Sequence, residues 1–462
     1  MPPILATILT LLGIAWLFRR DFREQPNVTA ALWLPFFWIF ISGSRFFTDW
    51  IGILSGVRVG GASVQEGSTL DALFYFVMIA GGLRVLNRRQ INWSQFVAEN
   101  RWVAIYLGYC LLACLWSDYP FISAKRWVKL MGQPVLVLVL LTEPDPVESF
   151  TRLMKRFSFF VIPVSVLFIK YYPDLGSCYD QWNGMRMNTG ITTDKNALGA
   201  LCFALGLFYV WHGWRVWRWE RSPERKRELL LCLVFLAAIM HLFRMAQSSS
   251  PIGAFMMAMG MMALLGLKSV NHRRLTSYLA IGIIAALIGI WGIELDKMVI
   301  HMLGRNPNLT GRTEIWGYLL SMDFNRVIGV GFESFWLGPR LDELALMLPG
   351  LSLNEAHNGY LETLIQIGGI GVALTVAMVL ATYFKSHRAL LAGAEFARYR
   401  LAYLAAFIIY NFTEALFRTT AFAFFLFFLA AIDYTIYRPE KPGMDEAGAK
   451  AGVHKTSSES FF

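Results

Sequence analysis

The chain has 462 residues, 56% of them hydrophobic and 16% charged, with 36 Phe and 16 Trp. A soluble domain carries about 25% charge, so these proportions exclude an ordinary soluble enzyme and describe a polytopic helical membrane protein whose length goes into spans. The formal net charge of +10 is the mark of Lys and Arg in cytoplasmic loops rather than of a nucleic-acid partner.

Apolar stretches compatible with spans follow one another at 3–18, 30–43, 70–86, 102–116, 128–141, 157–171, 196–213, 229–243, 252–267, 276–293, 359–384, 401–413 and 418–436. The first of these lacks a basic start and a small-residue cleavage site, and is read as a retained span. The expected fold is thus an all-α polytopic membrane protein of about 12–13 transmembrane helices. Cys110, Cys114, Cys202 and Cys232 fall inside apolar runs and Cys178 stands alone in a polar loop, so neither a metal spacing nor a disulfide framework is present. Sorting the connecting segments alternately puts 27 Lys and Arg in the set that holds the C-terminal tail and 15 in the other. By the positive-inside rule the richer set is cytoplasmic. The expected organisation is transmembrane helices 1–10 over 1–293, one large periplasmic loop over 294–358, C-terminal transmembrane helices over 359–436, and a disordered cytoplasmic tail over 437–462.

A phosphate-binding Gly-rich loop, a dinucleotide fingerprint and a His/Cys metal cluster are all missing from the sequence, so no cofactor and no metal are expected. Chemistry is expected on the outer face, where unusual polar residues gather in four stretches. In Arg186–Leu201, Thr192 or Thr193 caps a helix starting near Asn196, with Lys195 in its first turn; such an N-terminus suits an anion. In Leu303–Leu320, Arg305 and Arg312 supply planar forks that match phosphate oxygens, and Thr310–Gly311 sets the approach of Arg312. Gly329–Gly338 reads as a compact aromatic turn. In Ser352–Gly371, Ser352 and Glu355 have the form of a capping box, which puts His357 in the first turns of a helix where the dipole favours a neutral imidazole. Asn358 stands beside it, and Glu362 a turn deeper, where an intramembrane carboxylate is a functional candidate. Each stretch also has a plainer reading as a capped helix end or an interfacial loop. Arg244, just before the small-residue turn at 246–255, is a further cation on this face.

The segments "TGITTDKNALG", "NPNLTGRTEIW", "GVGFESFWLG" and "EAHNGYLETLIQIGGIG" together resemble, in order and spacing, the O-antigen ligase and polymerase superfamily, and within it the exopolysaccharide polymerisation proteins. That resemblance implies a glycosyltransferase-C-like membrane glycosyltransferase in the bacterial inner membrane, active at the periplasmic face. Its donor would be an undecaprenyl-diphosphate-linked glycan, and its acceptor lipid A–core or a second lipid-linked glycan. It also implies that neither metal nor nucleotide takes part. It makes Arg312 a contact for the donor diphosphate and His357 the base or organiser for the acceptor hydroxyl. Lys195 with Arg186 or Arg244 would assist the diphosphate, because the small-residue turn "QSSSPIGAF" lacks the arginine that ligases often carry there. Asn358 and Glu362 would support the acceptor side. Two rival readings are a transporter of the lipid-linked glycan and a non-catalytic component among polysaccharide export and assembly proteins. The concentration of polar residues at one face, with no internal repeat, favours the enzyme.

Overall fold

The computed structural model describes residues 1–56, 68–179, 184–279, 312–348 and 353–434. The expected span 276–293 falls mostly outside them, as do Arg305, Thr310, Gly311, Ser352 and the tail 437–462. Each of the other twelve apolar stretches coincides with a helix. In chain order the described α-helices are α1 (Pro3–Arg23), α2 (Trp33–Ser42), α3 (Phe47–Ser55), α4 (Thr69–Arg88), α5 (Trp93–Glu99), α6 (Arg101–Leu112), α7 (Pro120–Leu141), α8 (Pro146–Tyr171) and the single turn α9 (Pro173–Gly176). Then come α10 (Lys195–Trp217), α11 (Pro223–Ala246), α12 (Ser249–Gly266), α13 (Arg312–Ser321), α14 (Pro339–Met347), α15 (Gly359–Leu391), α16 (Glu395–Tyr410) and α17 (Phe422–Ala431). One antiparallel hairpin, β1 (Ser177–Tyr179) with β2 (Arg186–Asn188), departs from the all-α pattern among the described residues.

Six of the described helices are long and apolar enough to cross a membrane: α1, α4, α10, α11, α12 and α15. The pair formed by Ala30–Ser42 and α3, bent by 79°, makes a seventh if it is one span. The chain is therefore an all-α polytopic membrane protein. This count by length and composition covers the described residues, and the remaining expected spans differ from these in length or charge. α6 and α17 are short, while α7 and α8 carry Lys125, Arg126, Lys129, Arg152, Lys155 and Arg156 within the helix. The charges of α8 are accommodated by pairing: Arg152 and Arg156 both bind Asp21 of α1, and Lys155 binds Glu228 of α11 at 2.7 Å. His212, which had no evident partner in the sequence, stands 2.9 Å from the same Glu228.

Connections meet one another at the two ends of the bundle. At one end Arg89, Glu143 and Thr29 bond together, and Arg215 pairs with Glu395. At the other end Arg45 bonds to the carbonyls of Ile191 and Thr192, Asn188 to that of Met245, and Ser248 to Asn196.

Two apolar cores are present. The larger runs through the bundle, with α8, α10, α16 and α17 most enclosed. The smaller is built from Ile315, Leu319, Phe324, Val330, Phe335, Trp336, Leu353, Leu361 and Ile365, among others, so α13, α14 and the outer turns of α15 pack together. The boundary between the two lies at Gly368, where α15 breaks with φ 69° and ψ −172°. Carbonyls freed by the break are taken up locally: Val330 N–H donates to Ile365 O (3.1 Å), Gly331 N–H to Gln366 O (2.9 Å) and the Tyr109 hydroxyl to Ile367 O (3.1 Å). This is how an interrupted span is tolerated in lipid. A Cβ at Gly329 would meet the Gln366 backbone and one at Gly368 the Val327 backbone, so only glycine permits this approach.

Candidate functional site

α15 does not start from the capping box expected at Ser352 and Glu355. Its cap is Asn358, whose Oδ1 accepts the N–H groups of Tyr360 (3.0 Å) and Leu361 (3.1 Å). Likewise α10 is capped by Asp194, which accepts from Asn196 and Ala197, and not by Thr192 or Thr193. Thr192 is buried and turns its hydroxyl to the Thr189 and Asp194 carbonyls. Lys195 then begins α10.

With Asn358 as the cap, His357 lies outside the helix. Its φ of 47° is in the left-handed region, a conformation uncommon for residues other than glycine and frequent at functional sites. The expected neutral imidazole is thereby corrected. His357 Nδ1 stands 3.0 Å from Glu355 Oε1 and 3.5 Å from Glu414 Oε2. Burial would lower its pKa, but the bonds and charges of Glu355 and Glu414 outweigh burial and raise it to about 10. The helix starts after His357, so the expected placement of His357 within its first turns does not hold.

Arg312, at the start of α13, reaches the same Glu414. Its Nη2 donates to Glu414 Oε1 at 2.7 Å and its Nη1 to the Thr413 carbonyl at 2.5 Å. Glu355 is held from the other side by Arg418 Nη1 at 2.6 Å. Burial would raise the pKa of Glu355, yet Arg418 and then His357 overcome it and keep the carboxylate well below its ordinary value. The result is one chain of alternating charge: Arg312, Glu414, His357, Glu355, Arg418. Glu414 and Arg418 carried no signal in the sequence beyond being charges in a short loop between two apolar runs. The loop is fixed by Asn411, whose carbonyl accepts the Gly359 N–H (2.7 Å) and whose Oδ1 accepts the Leu416 N–H (3.1 Å). Glu333 and Gln133 hold its far end through Thr419.

The other expected site residues separate into two groups. Glu362 is buried; it accepts from Trp336 Nε1 (2.6 Å), from the Ala356 N–H (2.8 Å) and from Gln366 Nε2. It secures the backbone beside His357. Arg186 lies exposed on β2 with its Nε on Ser177 Oγ, and Arg244 is exposed in the last turn of α11. Neither joins the charge chain.

Beside the chain is a cavity of about 250 Å³. Asp194, Glu355, Glu414, Arg418, Arg45 and Asn196 line its polar side, and Ile41, Phe46, Leu201 and Phe422 its apolar side. Glu355, His357 and Glu414 also bring one ligand atom each within 4.8 Å of one another, and these are the described residues that could hold a metal. Both carboxylates are already paired with arginines, so the arrangement is a salt-bridge network first.

Residues 233–376 match the O-antigen ligase family model. That window contains Arg312, His357, Asn358, Glu362 and Arg244, and ends before Glu414 and Arg418. The chain is also similar to the exopolysaccharide production protein ExoQ of Rhizobium meliloti (strain 1021), 23% identical over 299 residues, 62% of this chain and 65% of that relative. The chain thus spans a little under two thirds of the length of the curated relative it matches. The match over residues 233–376 and the likeness to ExoQ both support a relationship to the O-antigen ligase and polymerase superfamily.

Proposed function

We propose that the protein transfers or polymerises glycan from an undecaprenyl-diphosphate-linked donor at the periplasmic face of the bacterial inner membrane, the acceptor being a second lipid-linked glycan or lipid A–core. One observation carries the reading: Arg312 and His357, on different elements, converge on Glu414 beside a cavity with one polar and one apolar side. Such a cavity suits a head group that is anionic at one end and lipid at the other.

In this reaction the acceptor hydroxyl attacks the anomeric carbon, the bond from that carbon to the diphosphate oxygen breaks, and the hydroxyl proton passes to the protein. Fixed cations stabilise the charge that grows on the leaving diphosphate. Arg312, His357 and Arg418 supply those cations, with Lys195 close by at the start of α10. A protonated His357 serves the diphosphate better than it serves as base, so the proton goes to a carboxylate facing the cavity, Asp194 or Glu414. Asn358 and Glu362 keep the His357 segment in place. The transfer proceeds without a metal or other cofactor, since the carboxylates that could bind one are engaged by arginines.

Deletion of the gene followed by analysis of surface and lipid-linked glycans tests this. Loss of exopolysaccharide chains with intact lipopolysaccharide marks a polymerase. Core lipid lacking long glycan, with lipid-linked polymer accumulating, marks a ligase. Normal chain length with donor trapped on the cytoplasmic side overturns the reading in favour of a transporter. Restoration of the glycan by an Arg312→Ala, His357→Ala chain overturns it in favour of an assembly scaffold.

A further inference from the structure

Two arginines stand in the wall of the cavity, and they differ in how they are satisfied. Arg418 is matched by a carboxylate, Glu355. Arg45 is not. It sits in the turn between α2 and α3, half-buried, and its partners are neutral: Nε donates to the Ile191 carbonyl at 3.1 Å, and Nη2 to the carbonyls of Thr192 at 3.0 Å and of Leu175. Among the described residues no carboxylate comes within ion-pair distance of it, and Nη1 has no acceptor. Burial withdraws this guanidinium from water, and Asp49 of α3 compensates its charge only in part, from beyond ion-pair distance, so an anion would supply the remaining partner.

Position and geometry say which anion. Three carbonyls clamp the fork through Nε and Nη2, so the guanidinium plane is set before any ligand arrives and Nη1 is the donor left to offer. The same wall carries Ile41 and Phe46 beside Arg45, and Phe422 and Ala423 beyond, an apolar floor next to a cation. Two of the carbonyls that hold Arg45, those of Ile191 and Thr192, belong to the segment leading into Asp194 and Lys195, so one side chain ties the turn after α2 to the start of α10.

We propose that Arg45 is a binding residue for the diphosphate of the lipid-linked donor, in the cavity wall that also carries Arg418. This rests on the donor assignment above. It places the additional arginine on the turn between α2 and α3, in place of Arg186 or Arg244, which lie exposed and outside the cavity wall. Arg45 is a ligand of the leaving group and not a proton carrier.

The test uses the full chain in detergent or nanodiscs, with undecaprenyl diphosphate and undecaprenyl monophosphate as the two probes. Wild type is expected to prefer the diphosphate. Arg45→Ala is expected to weaken diphosphate binding about tenfold or more, on the scale of one lost charged hydrogen bond, while monophosphate binding changes less than about threefold. Arg45→Lys keeps the charge without the fork and falls between. Thermal unfolding of each variant is recorded alongside, and Arg45→Gln replaces Arg45→Ala if the latter does not fold. Equal losses on both probes mean that Arg45 only holds the 191–192 carbonyls, and overturn the proposal. Unchanged diphosphate binding in Arg45→Ala, with loss in Arg312→Ala, overturns it while leaving the donor assignment standing. A wild-type protein that binds the two probes alike removes the donor assignment itself.

Discussion

Arg312 and His357 occupy opposite oxygens of a single carboxylate: Arg312 Nη2 is 2.7 Å from Glu414 Oε1 and His357 Nδ1 is 3.5 Å from Glu414 Oε2. Neither cation touches the other, and the spacing between them is set by one glutamate from a third segment.

Glu414→Gln therefore removes the carboxylate partner of Arg312 and the second of the two that face His357, which keeps Glu355. Leaving a buried charge unpaired costs about 3–5 kcal/mol. The variant is expected to unfold at a clearly lower temperature in detergent and to lose at least about tenfold in glycan transfer, since 1.4 kcal/mol of misplaced charge already accounts for that factor. Wild-type unfolding together with wild-type transfer would contradict the role given to Glu414.

The pH dependence follows from His357. Its folded pKa is raised to about 10, against an ordinary value of about 6.5. The stability it contributes is fully present below the ordinary value and is lost as pH rises through about 10. Wild type is expected to lose thermal stability between about pH 7 and 10, and His357→Gln to be flatter over that window. Transfer rates should hold level from about pH 6 to 9. A rate that climbs with a midpoint near 6.5, the ordinary value, would instead restore His357 as a neutral base.

At Gly359 a Cβ would overlap Asn411 Oδ1. Gly359→Ala is expected to push Asn411 aside and with it the loop that carries Glu414, lowering transfer at least tenfold, on the order of what a 1 Å misplacement costs. Asn358→Ala removes only the cap and is expected to cost about 1 kcal/mol of stability, with Asn358→Asp near wild type. An Asn358→Ala that harms transfer more than Gly359→Ala would reverse this ranking.

Glu362→Leu leaves the Trp336 Nε1, Ala356 N–H and Gln366 Nε2 donors without their acceptor. Each buried orphan costs about 1–3 kcal/mol, so poor membrane yield and early unfolding are expected, with Glu362→Gln recovering part of both. If Glu362→Leu folds normally and only transfer fails, the residue is acting on substrate and not on Ala356.

The spans were legible because hydrophobic runs of sufficient length have few other uses. Arg312 and His357 were legible as parts of ordered motifs. Their common partner was not. Glu414 is one acid in a short loop, and nothing in linear spacing ties position 414 to 312 and 357. The caps failed for a related reason: Ser352, Thr192 and Thr193 fit the pattern, but Asn358 and Asp194 stand closer to where the helices begin, and a side chain caps only from that position. Misplacing the start of α15 by a few residues was enough to reverse the expected charge of His357. Arg45 was invisible because its partners are backbone carbonyls from segments about 130 and 146 residues away.

The break at Gly368 assigns the outer turns of α15 to the smaller core and the rest of the helix to the bundle. Arg312 and His357 consequently travel with one packed body, and Glu414, Arg418, Asp194 and Arg45 with the other. The salt bridges of the site are rivets across a seam. On the proposed donor assignment, a diphosphate lying in the cavity adds to those rivets from within, so donor occupancy should make the two cores melt together.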